Sequence, residues 1–424
     1  MRHFSFKTLL AALPLLGLLL GSCKKELDDY YAPVEDTGFA SLGLPRVPLA
    51  PRYAPGETVP LYVSFTQTDQ LRDISVFQVI GSKAYGTADS AAVGTFPASG
   101  TFNAAGAVQT QAIPYVVPVA ANGLPVRVDV TFTFQNGSKR LRRFTYNIAQ
   151  PITIKLGATP ATYRNTLAGT AQTAGDIVGY SLVINETGVG TQPPVPTLPS
   201  PTAPLFKAVD SLTTFYRIGT GAPVRVGVVR NPSTGAANSR TVDVTIPAAA
   251  AGQAITYSFT AYGPVQAVTV TAPPLNVTTA TPLATLRTGR ISAGGNVTPD
   301  SLAFNLRTGQ IEPAANPPAA KDLFVNSVSP TVTLSAANTT RYTKLTPAQI
   351  DRFYANATAN TAGTLLYTNG LTAGLVSADL GTVAAGDVYA VRVRNAELGL
   401  LRILSVRPGT AGSTARVRFE YKTL

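Results

Sequence analysis

The chain has 424 residues, with 34 Lys and Arg against 22 Asp and Glu for a formal net charge of +12, yet only 13% of it is charged. It holds one histidine, one cysteine, one methionine and no tryptophan, so zinc and copper sites built from several imidazoles or thiolates lack their donors, and Ser-His-Asp, Cys-His or haem chemistry would rest on His3 alone. Its 36 glycines and 33 prolines, together with abundant Ala, Thr and Val, suit β-sheets punctuated by turns and exclude a helix bundle or a long disordered chain.

Arg2, His3 and Lys7 form a positive segment ahead of an apolar run, Leu9 to Leu20, shorter than the roughly 20 residues a membrane-spanning helix needs. The run ends in Leu20-Gly21-Ser22-Cys23, an aliphatic residue, two small ones and the sole cysteine. This stretch resembles the lipobox of bacterial lipoproteins. The resemblance implies that residues 1–22 are a signal peptide, that Cys23 is lipidated, and that the chain is held on a membrane through this anchor. Several acyl chains at about 0.8 kcal/mol per buried methylene make such a tether stable. Loss of residues 1–22 also removes His3, so no metal site, cofactor or histidine base is expected in the exported body.

The tract Lys24-Lys25-Glu26-Leu27-Asp28-Asp29-Tyr30-Tyr31 is similar to the charged segment behind the lipidated cysteine in surface-exported lipoproteins of Bacteroidetes-type bacteria. That likeness implies an outer-membrane, surface-exposed location; as a plain charge run the tract is equally a solvated spacer. A basic protein placed there is expected to meet an anionic glycan, an envelope polymer or a protein partner, and not nucleic acid. No feature of the sequence fixes an oligomeric state.

Residues 23–45 read as a Pro-rich stalk, semi-rigid and able to contribute a short edge strand. Two modules follow, 46–149 and 150–274, the second with a Pro-rich insertion at 191–204. Their signature is an internal repeat: Ala54 to Thr68 aligns without a gap on Thr173 to Thr187, with Gly56 on Gly175, Glu57 on Asp176 and Val59 on Val178. The pattern is a Gly-acid turn followed by a strand, and copies about 120 to 130 residues apart have the size of a β-sandwich domain. In the first copy Val126, Val128, Val130, Phe132 and Phe134 alternate with polar residues, Asn136-Gly137 signals a hairpin, and Phe144, Tyr146 and Ile148 alternate on the return. Ile255, Tyr257 and Phe259 repeat the pattern in the second. The two modules resemble immunoglobulin-like or fibronectin-like sandwiches, a likeness that carries no activity with it.

Residues 283–424 read as a C-terminal, mostly-β domain with one short helix, which makes the whole chain mainly all-β. Leu-Arg-Thr-Gly occurs at 286–289 and at 306–309, and both copies are expected to be β-turns. The helix lies in "LTPAQIDRFYANAT": Thr346 caps it, Pro347 opens it and Gln349 completes a capping box. Three alternating strands close the chain, with Tyr389, Val391, Val393, Val417, Phe419 and Tyr421 inward. These closing strands resemble those of the haem-binding HmuY-type lipoproteins, but the haem-ligating histidines of that family are absent here, so haem binding is not carried over.

Arg392, Arg394, Arg416 and Arg418 take the outward parity of the tail strands, and a ladder of guanidinium groups there is the expected anion-binding feature. The competing reading is a solvated face that discourages edge aggregation. No phosphate-cradling loop, G-x-S-x-G elbow or EF-hand loop occurs, and the one S-x-x-K is Ser22 to Lys25 at the processing site. The expected function is therefore non-catalytic binding or adhesion. The alternative is a glycoside or polymer hydrolase built on two carboxylates drawn from Glu186, Glu312, Glu397 and Glu420.

Overall fold

Strands with one apolar and one polar face bury themselves in pairs of sheets, and the chain does so three times. The computed structural model describes residues 40–42, 50–81, 90–103, 108–186, 204–233, 238–293, 301–313, 315–410 and 414–423. The signal peptide, Cys23, the charged tract behind it, most of the stalk and the Pro-rich stretch 191–203 lie outside the described residues. The described chain divides into two compact units, one built from the residues up to Pro151 with 204–207, the other from the remainder onward from Ile152.

In the first unit one sheet runs in the order Ala40–Leu42, Thr58–Thr66, Val108–Val116, Thr101–Asn103. The other runs Arg52–Tyr53, Lys139–Ile148, Pro125–Phe134, Leu71–Ile80, Ala91–Pro97. Val126, Val128, Val130, Phe132 and Phe134 are all buried, as their alternation predicts. Tyr53, Tyr115 and Tyr146 fill the middle of the core, where the Tyr115 and Tyr146 hydroxyls are 2.7 Å apart and hydrogen-bonded. At the Asn136-Gly137 hairpin only Gly137 uses positive φ (85°); Asn136 works through its side chain, whose Oδ1 accepts from the Ser138 amide at 2.9 Å.

The second sandwich belongs to the other unit. Its sheets run Ile154–Tyr163, Ile177–Ile184, Asn238–Thr245 and Val224–Ser233, Val209–Ile218, Ala254–Tyr262, Ala267–Thr271, with Leu275–Asn276 also paired to Ala254–Tyr262. Val178, Tyr180, Leu182 and Ile184 face Ile255, Tyr257 and Phe259 in one buried cluster.

The Gly-acid turn has the same geometry in both copies. Gly56 and Gly175 take φ of 78° and 92°, a region open to glycine because it has no Cβ. Glu57 Oε2 accepts from the Ala54 amide at 2.8 Å, and Asp176 Oδ2 accepts from the Thr173 amide at 2.7 Å. Gly56 and Glu57 exchange backbone hydrogen bonds with Val117 as Gly175 and Asp176 do with Ile246, each at 2.9 Å. Each acid then takes a further partner: Glu57 pairs with the fully buried Lys207, whereas Asp176 accepts from Asn360 Nδ2 at 2.7 Å and Thr364 Oγ1 at 3.2 Å.

The C-terminal domain contains β1 (Thr285–Ala293), β2 (Ala303–Asn305), β3 (Gln310–Glu312), β4 (Leu323–Ser327), β5 (Thr333–Ser335), β6 (Arg341–Lys344), α1 (Pro347–Phe353), α2 (Ala359–Gly370), β7 (Asp379–Thr382), β8 (Val388–Val393), β9 (Glu397–Arg407) and β10 (Ala415–Thr423). Its sheets are β1-β10-β9-β8-β6 and β3-β2-β4-β5-β7. Ile291, Phe304, Leu323, Leu334, Tyr389, Val391, Ile403, Val417, Phe419 and Tyr421 pack between them. Val388, Ala390, Leu398 and Leu400 point to the opposite face of the first sheet, under α1 and α2. Strand β8 is apolar at four successive positions because both its faces are covered.

Helix α1 has the expected cap, with the Thr346 amide donating to Gln349 Oε1 at 2.9 Å and Thr346 Oγ1 accepting from the Gln349 amide at 3.4 Å. A second helix, α2, was not expected, since three Thr, two Asn and two Gly in twelve residues are poor helix formers. Packing holds it instead: Ala362, Leu365 and Leu366 are buried, and a Cβ on Gly363 would stand 2.6 Å from the Asn165 carbonyl. The two Leu-Arg-Thr-Gly copies also diverge. The second is a turn with Gly309 at φ 73°, but the first lies inside β1, paired with β10 over nine residues, so the expected turn at 286–289 is a strand. There Gly289 is required by space, because a Cβ would come within 2.3 Å of the Phe419 ring.

Candidate functional site

The outer face of β1-β10-β9-β8-β6 is divided in two. Over β6, β8 and the start of β9 it lies beneath the helices. Over β1, β10 and the end of β9 it is bare and carries Arg290, Arg407, Arg416 and Arg418, all exposed. Their direction follows from the pleat: Ile291, Val417 and Phe419 beside them are buried in the core, so their neighbours turn outward.

Register sets the four guanidinium groups in two rungs. Arg290 lies opposite Arg418, and Arg416 lies opposite Arg407. The second rung depends on an irregularity in β9, where the register shifts between Ile403 and Ser405. Ile403 is inward; without the extra residue at Leu404, strict alternation would carry Arg407 to the core side as well. An open groove of about 860 Å³ is lined by these four arginines with Thr288, Gln310 and Ser405 among its other walls.

None of the four arginines has an ion pair or side-chain hydrogen bond among the described residues. Glu420, the nearest acid along β10, is engaged by the Tyr354 hydroxyl and by Arg402 Nη1 at 3.8 Å. Like charges directly opposite one another destabilise a sheet, so both rungs work against folding. The face thus holds concentrated, solvated positive charge with forked donors suited to carboxylate, sulfate or phosphate groups.

Arg392 and Arg394 do not join Arg416 and Arg418, which corrects the expected ladder. Arg392 lies on the helix-covered half of the sheet, half-buried and opposite Arg341. Arg394 follows the end of β8 at φ 50° and turns back to Asp322, with Nε at 2.8 Å from Oδ1 and Nη2 at 2.9 Å from Oδ2. Asp322 is fully buried, so this pair is architecture. Arg290 and Arg407 complete the cluster instead. The alternation in Arg-Ile-Ser-Ala announced the first, whereas the irregularity that turns the second outward left no mark in the sequence.

The four candidate carboxylates are each engaged separately. Glu186 pairs with Lys155, and Glu397 pairs with Arg307 Nε at 2.8 Å. Glu312 accepts from Asn305 Nδ2 at 2.9 Å and Asn316 Nδ2 at 2.5 Å, while Glu420 is held as above. Among the described residues no group of three or more His, Cys, Asp or Glu is placed to hold a metal ion.

No family model and no curated protein matches the chain. Among solved structures it is similar to a DUF4466 family protein from Parabacteroides merdae, at 11% identity and a TM-score of 0.22, over 65% of this chain and 100% of that one.

Proposed function

We propose that this chain is a non-catalytic, lipid-tethered protein of the bacterial cell envelope, whose immunoglobulin-like sandwiches and C-terminal domain present a binding surface, and that the bare arginine face takes an anionic glycan or envelope polymer. One observation carries the reading: four exposed guanidinium groups without ion-pair partners among the described residues, set in two like-charged rungs that oppose folding. A repeating polyanion can neutralise both rungs in turn: the two arginines of a rung stand on adjacent strands about 5 Å apart, and the rungs follow one another two residues along β10. The tether rests on Leu20-Gly21-Ser22-Cys23, and among the described residues no helix is long and apolar enough to cross a membrane.

The test is retention of the chain from Pro33 onward on immobilised lipopolysaccharide and on a polyuronate, across a salt gradient. Retention should fall steeply as salt shortens the Debye length below about 10 Å. Arg290→Ala and Arg418→Ala should each weaken it roughly tenfold, the loss of one charge-assisted contact. Retention that ignores ionic strength, or survives the double variant, refutes the assignment. Intact mass of the natural product checks the anchor, since an unmodified Cys23 contradicts it.

A further inference from the structure

A second group of arginines surrounds a smaller cavity, of about 380 Å³, between the second sandwich and the C-terminal domain within one compact unit. Tyr163 and Arg164 reach it from the end of strand Ile154–Tyr163, and Tyr367 and Leu371 from the last turn of α2 and just beyond. Arg341 and Arg392 enter from β6 and β8, directly opposite one another in register.

The charges here are not balanced. Arg164 is satisfied, with Nε and Nη2 at 3.0 and 2.6 Å from Asp243 Oδ1 and its guanidinium 5.2 Å from the centre of the Tyr367 ring. Tyr367 also donates to that carboxylate. Arg341 Nη1 donates to the carbonyls of Asn338 at 3.2 Å and Thr340 at 2.9 Å, which occupies donors and leaves its charge without a counterion among the described residues. Arg392 has no partner at all among the described residues, and its Nε is buried. Burial draws its pKa below the ordinary arginine range, the mark of a guanidinium short of the solvation or counter-charge it needs. A half-buried guanidinium, its Nε without a partner and a second cation beside it, costs the fold free energy that an entering anion removes.

The remaining walls say what kind of anion. Leu366, Leu371 and Val376 are apolar and Tyr163 and Tyr367 are aromatic, so inorganic phosphate would leave most of the lining unsatisfied. The volume lies at the small end of the range for organic ligands, about 300–1,000 Å³. Thr162 and Thr166 add hydroxyls at the rim.

We propose that this cavity binds a single acidic sugar, a pyranose bearing one carboxylate, with Arg392 and Arg341 gripping the carboxylate and Tyr163 and Tyr367 packing on the ring. None of these residues lines the arginine face, so the two sites stand or fall separately.

The test is calorimetric titration of the full chain with D-glucuronate, D-glucose and inorganic phosphate. Glucuronate should bind saturably, and glucose and phosphate at least about tenfold more weakly. Arg392→Met should cost roughly tenfold or more, the loss of a forked charge-assisted contact. Thr162→Trp, at an exposed position, should block the cavity. Absence of saturable glucuronate binding overturns the proposal, as does equal affinity for glucose or phosphate. So does glucuronate affinity unaltered by both Arg392→Met and Thr162→Trp.

Discussion

Asp322→Asn is the substitution that most directly separates architecture from function among the tail arginines. Asp322 is fully buried and accepts five hydrogen bonds: from the Leu306 amide at 3.0 Å, Asn338 Nδ2 at 2.8 Å, Thr340 Oγ1 at 3.0 Å and Arg394 Nε and Nη2 at 2.8 and 2.9 Å. Asparagine keeps the shape but removes the charge, and it turns one accepting atom into a donor facing donors. Removing one member of a buried ion pair costs about 3–5 kcal/mol. Arg394 keeps 22% side-chain exposure and recovers some solvation, which places the loss near the lower end, about 3 kcal/mol. Against the ~5–15 kcal/mol that holds a typical domain, that is a large fraction. Urea unfolding should show it as a lower midpoint at unchanged slope. Arg394→Met should lose a similar amount, and the double variant Asp322→Asn/Arg394→Met should lose clearly less than the sum. Arg394→Met should at the same time leave retention on anionic polymer intact. A loss below about 1 kcal/mol for either single variant, or weakened polymer binding by a folded Arg394→Met, refutes this division of labour.

Other substitutions probe other joints. Asp176→Ala removes the acceptor for the Thr173 amide, Asn360 and Thr364, so it should cost about 2–3 kcal/mol and raise hydrogen exchange in α2. Gly289→Ala puts a Cβ 2.3 Å from Phe419 and 3.0 Å from Phe304, and the forced shift of that edge-to-face pair should cost about 1–3 kcal/mol in the urea midpoint. At high pH the first sandwich should weaken: burial pushes Tyr115 up to about 12 and Tyr146 higher still, from 10.0, so the neutral phenols are favoured in the folded state. That stability is complete below pH 10.0 and drains away as pH rises toward about 12, and phenolate absorbance should rise together with unfolding.

What the sequence disclosed, and what it hid, follows from the range of the interactions involved. Period-two alternation is local, so the buried set Val126 to Phe134 and the inward Val417, Phe419 and Tyr421 were legible residue by residue. The cap at Thr346 is likewise spelled out within four residues. Helix α2 was hidden because its support comes from Asn165, Asp176 and β8, up to almost two hundred positions away. Leu-Arg-Thr-Gly shows the same limit in miniature: one copy is a strand because β10 pairs with it, the other a turn because nothing does. For the site, parity along a single strand correctly turned Arg416 and Arg418 outward. Which arginines stand across from them is a matter of register, and register is written in two strands at once.

The like-charged rungs make a final, sharper demand. If Arg290 and Arg418 face each other for the sake of a ligand, the fold should prefer the pair to be of opposite sign. Arg418→Glu builds such a pair across β1 and β10 at an exposed position, so it buries no new charge. Opposite charges directly across a sheet are worth roughly 0.2–1 kcal/mol, and a repulsion of similar size disappears with the exchange. Arg418→Glu should therefore unfold at slightly higher urea than the parent while its retention on an anionic polymer collapses, a change of opposite sign in the two assays. Added salt should shrink both effects. A fold weakened by the exchange would mean that the rung is not a cost, and undiminished retention would mean that this face is not where the polymer binds.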